Sequence, residues 1–153
     1  MTEYKIGVIS DTHGLLREEA IKALQGSDLI IHAGDIGRQH ILEELNQIAT
    51  VIAVRGNNDF YSWAWEIPTT QYLEFAGLNI FVLHDLYQMN LDAQVAGIDL
   101  VIYGHTHRPK ESHKNGVHYL NPGSAGPRRF NLPISLARLK VRDGNIVTEF
   151  ITL

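Results

Sequence analysis

The stretch YKIGVISDTHGLLREEAIKALQGSDLIIHAGD, residues 4–35, decides the fold class. It opens on YKIGVIS, a short apolar run that reads as a buried strand. LLREEAIKALQ follows, residues 15–25, with apolar residues near i, i+3, i+4 and i+7, the spacing of an amphipathic helix. DLIIHAG, residues 28–34, reads as a second buried strand. A strand, a helix and a strand at this spacing imply two parallel strands joined by a right-handed crossover. Both strands end in polar residues: Asp11-Thr12-His13 after the first and Gly34-Asp35 after the second.

The same alternation continues outward. HILEELNQI, residues 40–48, reads as a second helix, and TVIAVRG, residues 50–56, as a third strand. The second half changes character. TQYLEFAGLNIFVLH, residues 70–84, reads as two strands joined through Ala-Gly-Leu-Asn. LDAQVAG, residues 91–97, reads as a short helical piece, and DLVIYG, residues 99–104, as a buried strand. Two further hairpins centre on Asn115-Gly116 and Asp143-Gly144. Nothing repeats at a fixed period, and no linker marks a boundary. The expectation is an α/β protein: one domain over residues 1–153, built from two packed mixed β-sheets flanked by helices.

Composition narrows the function. The chain has 153 residues, enough for a real core, with 44% hydrophobic and 20% charged residues. Its net charge is −4 and its longest basic run is Arg128-Arg129, which disfavours nucleic acid as a partner but leaves room for a small phosphorylated substrate. There are no cysteines, which removes disulfides, thiolate chemistry and zinc–cysteine sites together. The N-terminus has no signal-peptide pattern, and no apolar run approaches the ~20 residues of a membrane helix, so a cytoplasmic, membrane-free protein is expected.

Chemistry gathers where the strands end. The third strand runs into Asn57-Asn58-Asp59, NIFVL into His84-Asp85, and DLVIYG into His105-Thr106-His107. Ligands of open α/β sheets bind outside the carboxyl ends of the strands. If the strand geometry of VIYGHTHRP, residues 101–109, continued through its histidines, His105 and His107 would point to one side. Asp, His and Asn are the oxygen and nitrogen donors that Mn²⁺, Fe²⁺, Ni²⁺ or Zn²⁺ accept. Asp11, His13, Asp35, Asn57, His84, His105 and His107 are too many for one octahedral ion with open positions; two ions sharing a carboxylate would use them all. Each fragment alone has a plainer reading. Asp35 suits the N-cap of a helix over IGRQHILEEL, and Gly56-Asn57-Asn58-Asp59 is turn chemistry. Five strand ends with the same ligand types are hard to attribute to turns.

The ordered set Asp11-x-His13, Gly34-Asp35, Gly56-Asn57, His84 and Gly104-His105-x-His107 resembles the calcineurin-like metallophosphoesterases. The short length and the tail NPGSAGPRR resemble their small YfcE-like phosphodiesterase branch. The resemblance implies a four-layer sandwich and a hydrolase of phosphodiesters. It implies two divalent transition-metal ions, Mn preferred and Fe, Ni or Zn also suited. The first would take Asp11, His13, Asp35 and His107; the second Asp35, Asn57, His84 and His105, with Asp35 as the bridge. A hydroxide held between the ions would attack phosphorus in line.

Two departures stand out. The wider family has a histidine where this chain has Asn58, which cannot donate a proton near pH 7, so good leaving groups should depart faster than alkoxides. Asp85 replaces a glycine and would either cap a turn or orient a ligand histidine. Arg128 and Arg129 are candidate phosphate clamps. His32 should pack beneath the site, while His40, His113 and His118 should lie on the surface. Trp63 and Trp65 suit core packing, and the aromatics of residues 61–65 offer a homodimer contact. The competing readings are a retromer-subunit-like interaction scaffold, a phosphomonoesterase and a nuclease.

Overall fold

The computed structural model describes residues 2–153. Ten strands form two five-stranded sheets. The first sheet contains β1 (Tyr4–Ile9), β2 (Leu29–His32), β3 (Thr50–Ala53), β9 (Ser135–Arg142) and β10 (Asn145–Thr152), in the order β10-β9-β1-β2-β3. Its β1, β2 and β3 are parallel, and β9 and β10 extend it antiparallel. The second holds β4 (Thr70–Phe75), β5 (Leu78–Leu83), β6 (Leu100–Ile102), β7 (Pro109–Lys114) and β8 (Val117–Pro122), in the order β4-β5-β6-β8-β7. There β5, β6 and β8 are parallel, with antiparallel strands at both edges.

The alternation of strand side chains sorts the core into layers. Ile6, Val8, Leu29 and Ile31 of the first sheet meet Ile80, Val82, Leu100, Ile102 and Leu120 of the second, forming a continuous apolar seam. The intervening residues face outward. Ile9 and Ile30 pack beneath α1 (Glu18–Leu24) and α2 (Gln39–Asn46), through Ala20, Leu24, Ile41 and Leu45. Each fully buried aliphatic side chain contributes about 1.5–3 kcal/mol, so the two short helices are held chiefly by this contact.

Both α-helices flank the first sheet. The outer face of the second, with Phe81, Leu83, Val101 and Val117, is covered by Leu86, Met89, Leu91, Ala93 and Ile98 from an irregular segment. The helical piece expected over residues 91–97 is one turn: the Ala96 N–H bonds to the Asp92 carbonyl, Asp92 Oδ1 accepts from the Val95 N–H, and Gly97 closes it at φ 73°. Likewise α1 begins at Glu18, because residues 12–15 are occupied by a turn between the Thr12 carbonyl and the Leu15 N–H.

Candidate metal centre

Loops following β1, β2, β3, β5 and β6 converge at one end of the sandwich, so both sheets contribute. The strand geometry does not continue into GHTHRP. β6 ends at Ile102, and His105 and His107 adopt left-handed φ of 72° and 63°. Asp11, His13 and Asp35 are also left-handed, at 55°, 46° and 55°. This conformation is uncommon for residues with a Cβ, and Asp and His are among those that adopt it most readily, so the residue types that can hold an ion also suit the bends that aim them.

The side chains meet around Asp11, which is fully buried. Its Oδ1 lies 3.3 Å from His107 Nε2, 3.7 Å from His13 Nε2 and 3.8 Å from His84 Nε2. Asp35 Oδ2 lies 3.3 Å from His84 Nε2 and 3.7 Å from His13 Nε2. Two groups can each hold an ion: Asp11 with His13 and His107, and Asp11 with Asp35 and His84. Ligands about 2.0–2.2 Å from a common ion stand about 3.0–3.6 Å apart, close to these separations. Asp11 Oδ1, His13 Nε2 and His84 Nε2 are buried with no hydrogen-bond partner. Orphaned polar atoms of this kind are costly without a partner; a divalent ion fits them.

The protein sets the free valences. His84 Nδ1–H donates to the Ala33 carbonyl at 2.7 Å, leaving the Nε2 lone pair aimed at the carboxylates. Burial opposes charge on His84, but Asp35 and Asp11 outweigh it and push its pKa up to about 9. Burial would raise the Asp11 carboxyl; His107, His13, His84 and the Ser10 hydroxyl instead hold it well below the usual carboxylate range. Asp35 is lowered too, with burial opposed by His84 and by Asn58.

His105 stands at the rim, half-exposed, its ring 5.1 Å from that of His84 and its Nε2 3.8 Å from Asp85 Oδ2. Asp85 Oδ1 meanwhile accepts from the Tyr87 N–H, so this residue both caps a turn and faces a candidate ligand. Asn57 is exposed and lines the same cavity as His84 and His105. Asn58 engages Asp35 directly, its backbone N–H donating to Oδ1 and its amide to Oδ2, both at 2.9 Å. Asp35 is not a helix cap: α2 begins after Arg38 and has no side-chain cap.

Several positions escaped the sequence reading. Asp59, quoted there only as turn chemistry, is buried and accepts from the N–H groups of Ile36, Gly37 and Gly56, tying two site loops together. Asn121 donates from its side chain to the Gly104 carbonyl and the Thr106 hydroxyl, holding the GHTH loop. Gly104 is required by close approach, since a Cβ there would collide with Ser10 Oγ and Asp11 Oδ2. Gly34 sits at φ 101°, and a Cβ there would fall 2.7 Å from His84 Nδ1.

His32 does lie beneath the site, completely buried. Its Nδ1 accepts from the Gly34 N–H, its Nε2–H donates to Thr12 Oγ1, and that hydroxyl donates to the Ile36 carbonyl. His118 departs from the surface expectation: it is buried, with Nε2 2.7 Å from Glu111 Oε2. His40 and His113 are exposed. Trp63 packs against the core, whereas Trp65 is 68% exposed. Arg128 and Arg129 are exposed; Arg128 donates to the Leu132 carbonyl, and Arg129 has no side-chain hydrogen bond among the described residues.

A cavity of about 770 Å³ opens beside His84 and His105 and runs to Arg55, Thr69, Gln88 and Asn90. Among the described residues, no helix is long and apolar enough to cross a membrane.

A two-sheet sandwich with a carboxylate–histidine cluster across its seam defines a metallophosphoesterase architecture. Residues 4–144 match the calcineurin-like phosphoesterase superfamily domain, and the chain belongs to that superfamily. A probable metallophosphoesterase of Methanocaldococcus jannaschii is 37% identical over 151 residues, covering 90% of this chain and 76% of that protein. Phosphodiesterase YfcE of Escherichia coli is 27% identical over 165 residues, covering 88% of this chain and 86% of its own. Vacuolar Protein Sorting 29 from Cryptosporidium parvum superposes with a TM-score of 0.79 at 19% identity over the full length of both chains, a likeness of fold alone.

Proposed function

We propose that this metal-dependent phosphoesterase hydrolyses phosphodiesters at a centre of two divalent ions, with manganese the first metal to test. The observation that carries the reading is the trio of buried, unpartnered atoms, Asp11 Oδ1, His13 Nε2 and His84 Nε2, turned toward one another across the two sheets. Asp11, His13 and His107 would hold one ion, and His84, His105 and Asn57 the other. Asp35 Oδ2 faces donors of both sets, His13 and His84, which supports a bridging role. Bound ions would supply an activated water and neutralise charge on the phosphoryl oxygens.

The chain's own residues supply orientation. His84 is fixed by its bond to Ala33, and Asp35 by the two donors of Asn58. The Asn58 amide can donate a hydrogen bond to a phosphoryl oxygen but cannot protonate a departing oxygen. Aryl oxides should therefore leave more readily than alkoxides. Arg129, exposed and with no side-chain hydrogen bond among the described residues, is the candidate clamp on the phosphate. The diester preference is carried from YfcE, whose name records that activity.

The test strips the protein of metal, reloads it with Mn²⁺ and follows paired aryl phosphodiester and phosphomonoester substrates. Diester turnover should need metal and fall more than about a hundredfold in Asp35→Asn, beyond the loss expected of a group that merely orients a ligand. Faster monoester turnover would replace the substrate class. Two bound ions per chain without turnover would favour the interaction scaffold that the fold also builds.

A further inference from the structure

Resting on the phosphodiesterase reading, we propose that the cavity beside His84 and His105 receives one arm of the substrate, and that Arg55 selects arms carrying a second anionic group. Arg55 is the only lysine or arginine lining this cavity. Its placement is fixed by the main chain: the Arg55 N–H bonds to the Pro68 carbonyl, and the next residue, Gly56, lies so close to Asp35 that a Cβ there would collide with its carboxylate. The guanidinium makes one long contact, 3.5 Å from Nη1 to the Trp65 carbonyl, and no ion pair among the described residues. It therefore retains donors for a ligand.

The rest of the wall agrees with a polar, hydroxylated arm. Thr69, Thr70, Gln88 and Asn90 line the cavity and make no side-chain hydrogen bond among the described residues. No Phe, Tyr or Trp lines it, and its only rings are the imidazoles of His84 and His105 at the metal end. The one carboxylate in the lining, Asp85, is engaged, with Oδ1 on the Tyr87 N–H and Oδ2 toward His105. The charge pattern is thus asymmetric: ion-holding carboxylates at one end and an unneutralised cation at the other. A molecule anionic at both ends matches this pattern once metal is bound, and one with a cationic arm does not. Guanidinium recognition of a phosphate can use two parallel hydrogen bonds.

The proposal is tested with p-nitrophenyl esters that share one leaving group. Thymidine 5′-(p-nitrophenyl phosphate) is compared with the same compound bearing a 3′-phosphate, and with p-nitrophenyl phosphorylcholine. Wild-type protein loaded with Mn²⁺ should favour the 3′-phosphorylated substrate over its parent by about tenfold in kcat/KM, the scale of one charge-assisted contact. The choline ester should be the poorest of the three. That ratio should fall to about unity in Arg55→Gln and recover in part in Arg55→Lys, because the lysine keeps the charge without the fork. An undiminished ratio in Arg55→Gln overturns the proposal, as does the absence of any preference in wild type. Calorimetric binding of thymidine 3′,5′-bisphosphate separates the two readings. Arg55-dependent binding without hydrolysis would retain this site while removing the phosphodiesterase reading; binding that ignores Arg55, or none, would remove the site.

Discussion

Asp11, His13, Asp35, His105 and His107 share left-handed backbone as well as a site, and only the first of these properties was beyond reading from the chain. Residue types show which groups can bind a metal. They do not show that a strand will stop at Ile102 and turn, so the expected side-by-side aim of His105 and His107 gives way to one buried imidazole and one at the rim. Asp59 was equally hidden, since its role rests on three amides whose proximity only folding creates. His32 has a consequence in pH. Burial pushes its pKa down to about 4, below the ordinary value of 6.5, despite the opposing carboxylates of Asp59 and Asp11. The native state therefore binds fewer protons than the unfolded chain, and stability is lost as pH falls from 6.5 to about 4. The loss amounts to about 3 kcal/mol at 1.36 kcal/mol per pH unit. Urea unfolding at pH 7 and pH 4.5 should show that drop in wild type and a smaller one in His32→Gln. Equal drops in the two proteins would assign the acid sensitivity elsewhere.

Elements were more legible than residues where turn chemistry was explicit. The three hairpin turns at Ala76-Gly77, Asn115-Gly116 and Asp143-Gly144 all have two successive positive φ values, as the tight primed turn demands. Asn and Asp tolerate the first of these positions. Alanine does not, and Ala76 holds φ 54° against its own preference. Ala76→Asn should stabilise the protein by about 1 kcal/mol, read as a higher urea midpoint with an unchanged slope; an unmoved midpoint would mean that this turn carries no such strain. The sequence was less informative about the covering of the second sheet. LDAQVAG has helical spacing, but seven residues are too few to sustain a helix without a packed face. Val95 is 84% exposed, so the segment settles for one capped turn.

At the scale of the molecule, parallel strands in both sheets deliver their carboxyl ends to one edge, which is why a list of strand endings located the cluster. The strand order and the pairing of β9 with β1 were not legible, because register is set by contacts between segments far apart in the chain. The seam between the sheets is a continuous apolar layer. At the metal end the sheets are instead joined by directional bonds, from His84 Nδ1–H to the Ala33 carbonyl and from the His105 N–H to Asp11 Oδ2. Leu100→Ala, in the middle of that seam, should cost about 2–5 kcal/mol in urea unfolding. It should also weaken Mn²⁺ binding, measured by calorimetry, although Leu100 is not among the side chains that gather around Asp11. Unaltered affinity at reduced stability would show that the two ends of the sandwich respond independently.

The separation of Asp11 from His107 is a distance between one sheet and the other, so the site behaves as a caliper whose jaws are the two sheets. The thickness of the apolar filling sets the gap in which an ion must fit. A protein of this design can tune its metal preference from the core, by a methylene added or removed between the jaws, while every ligand stays as it is.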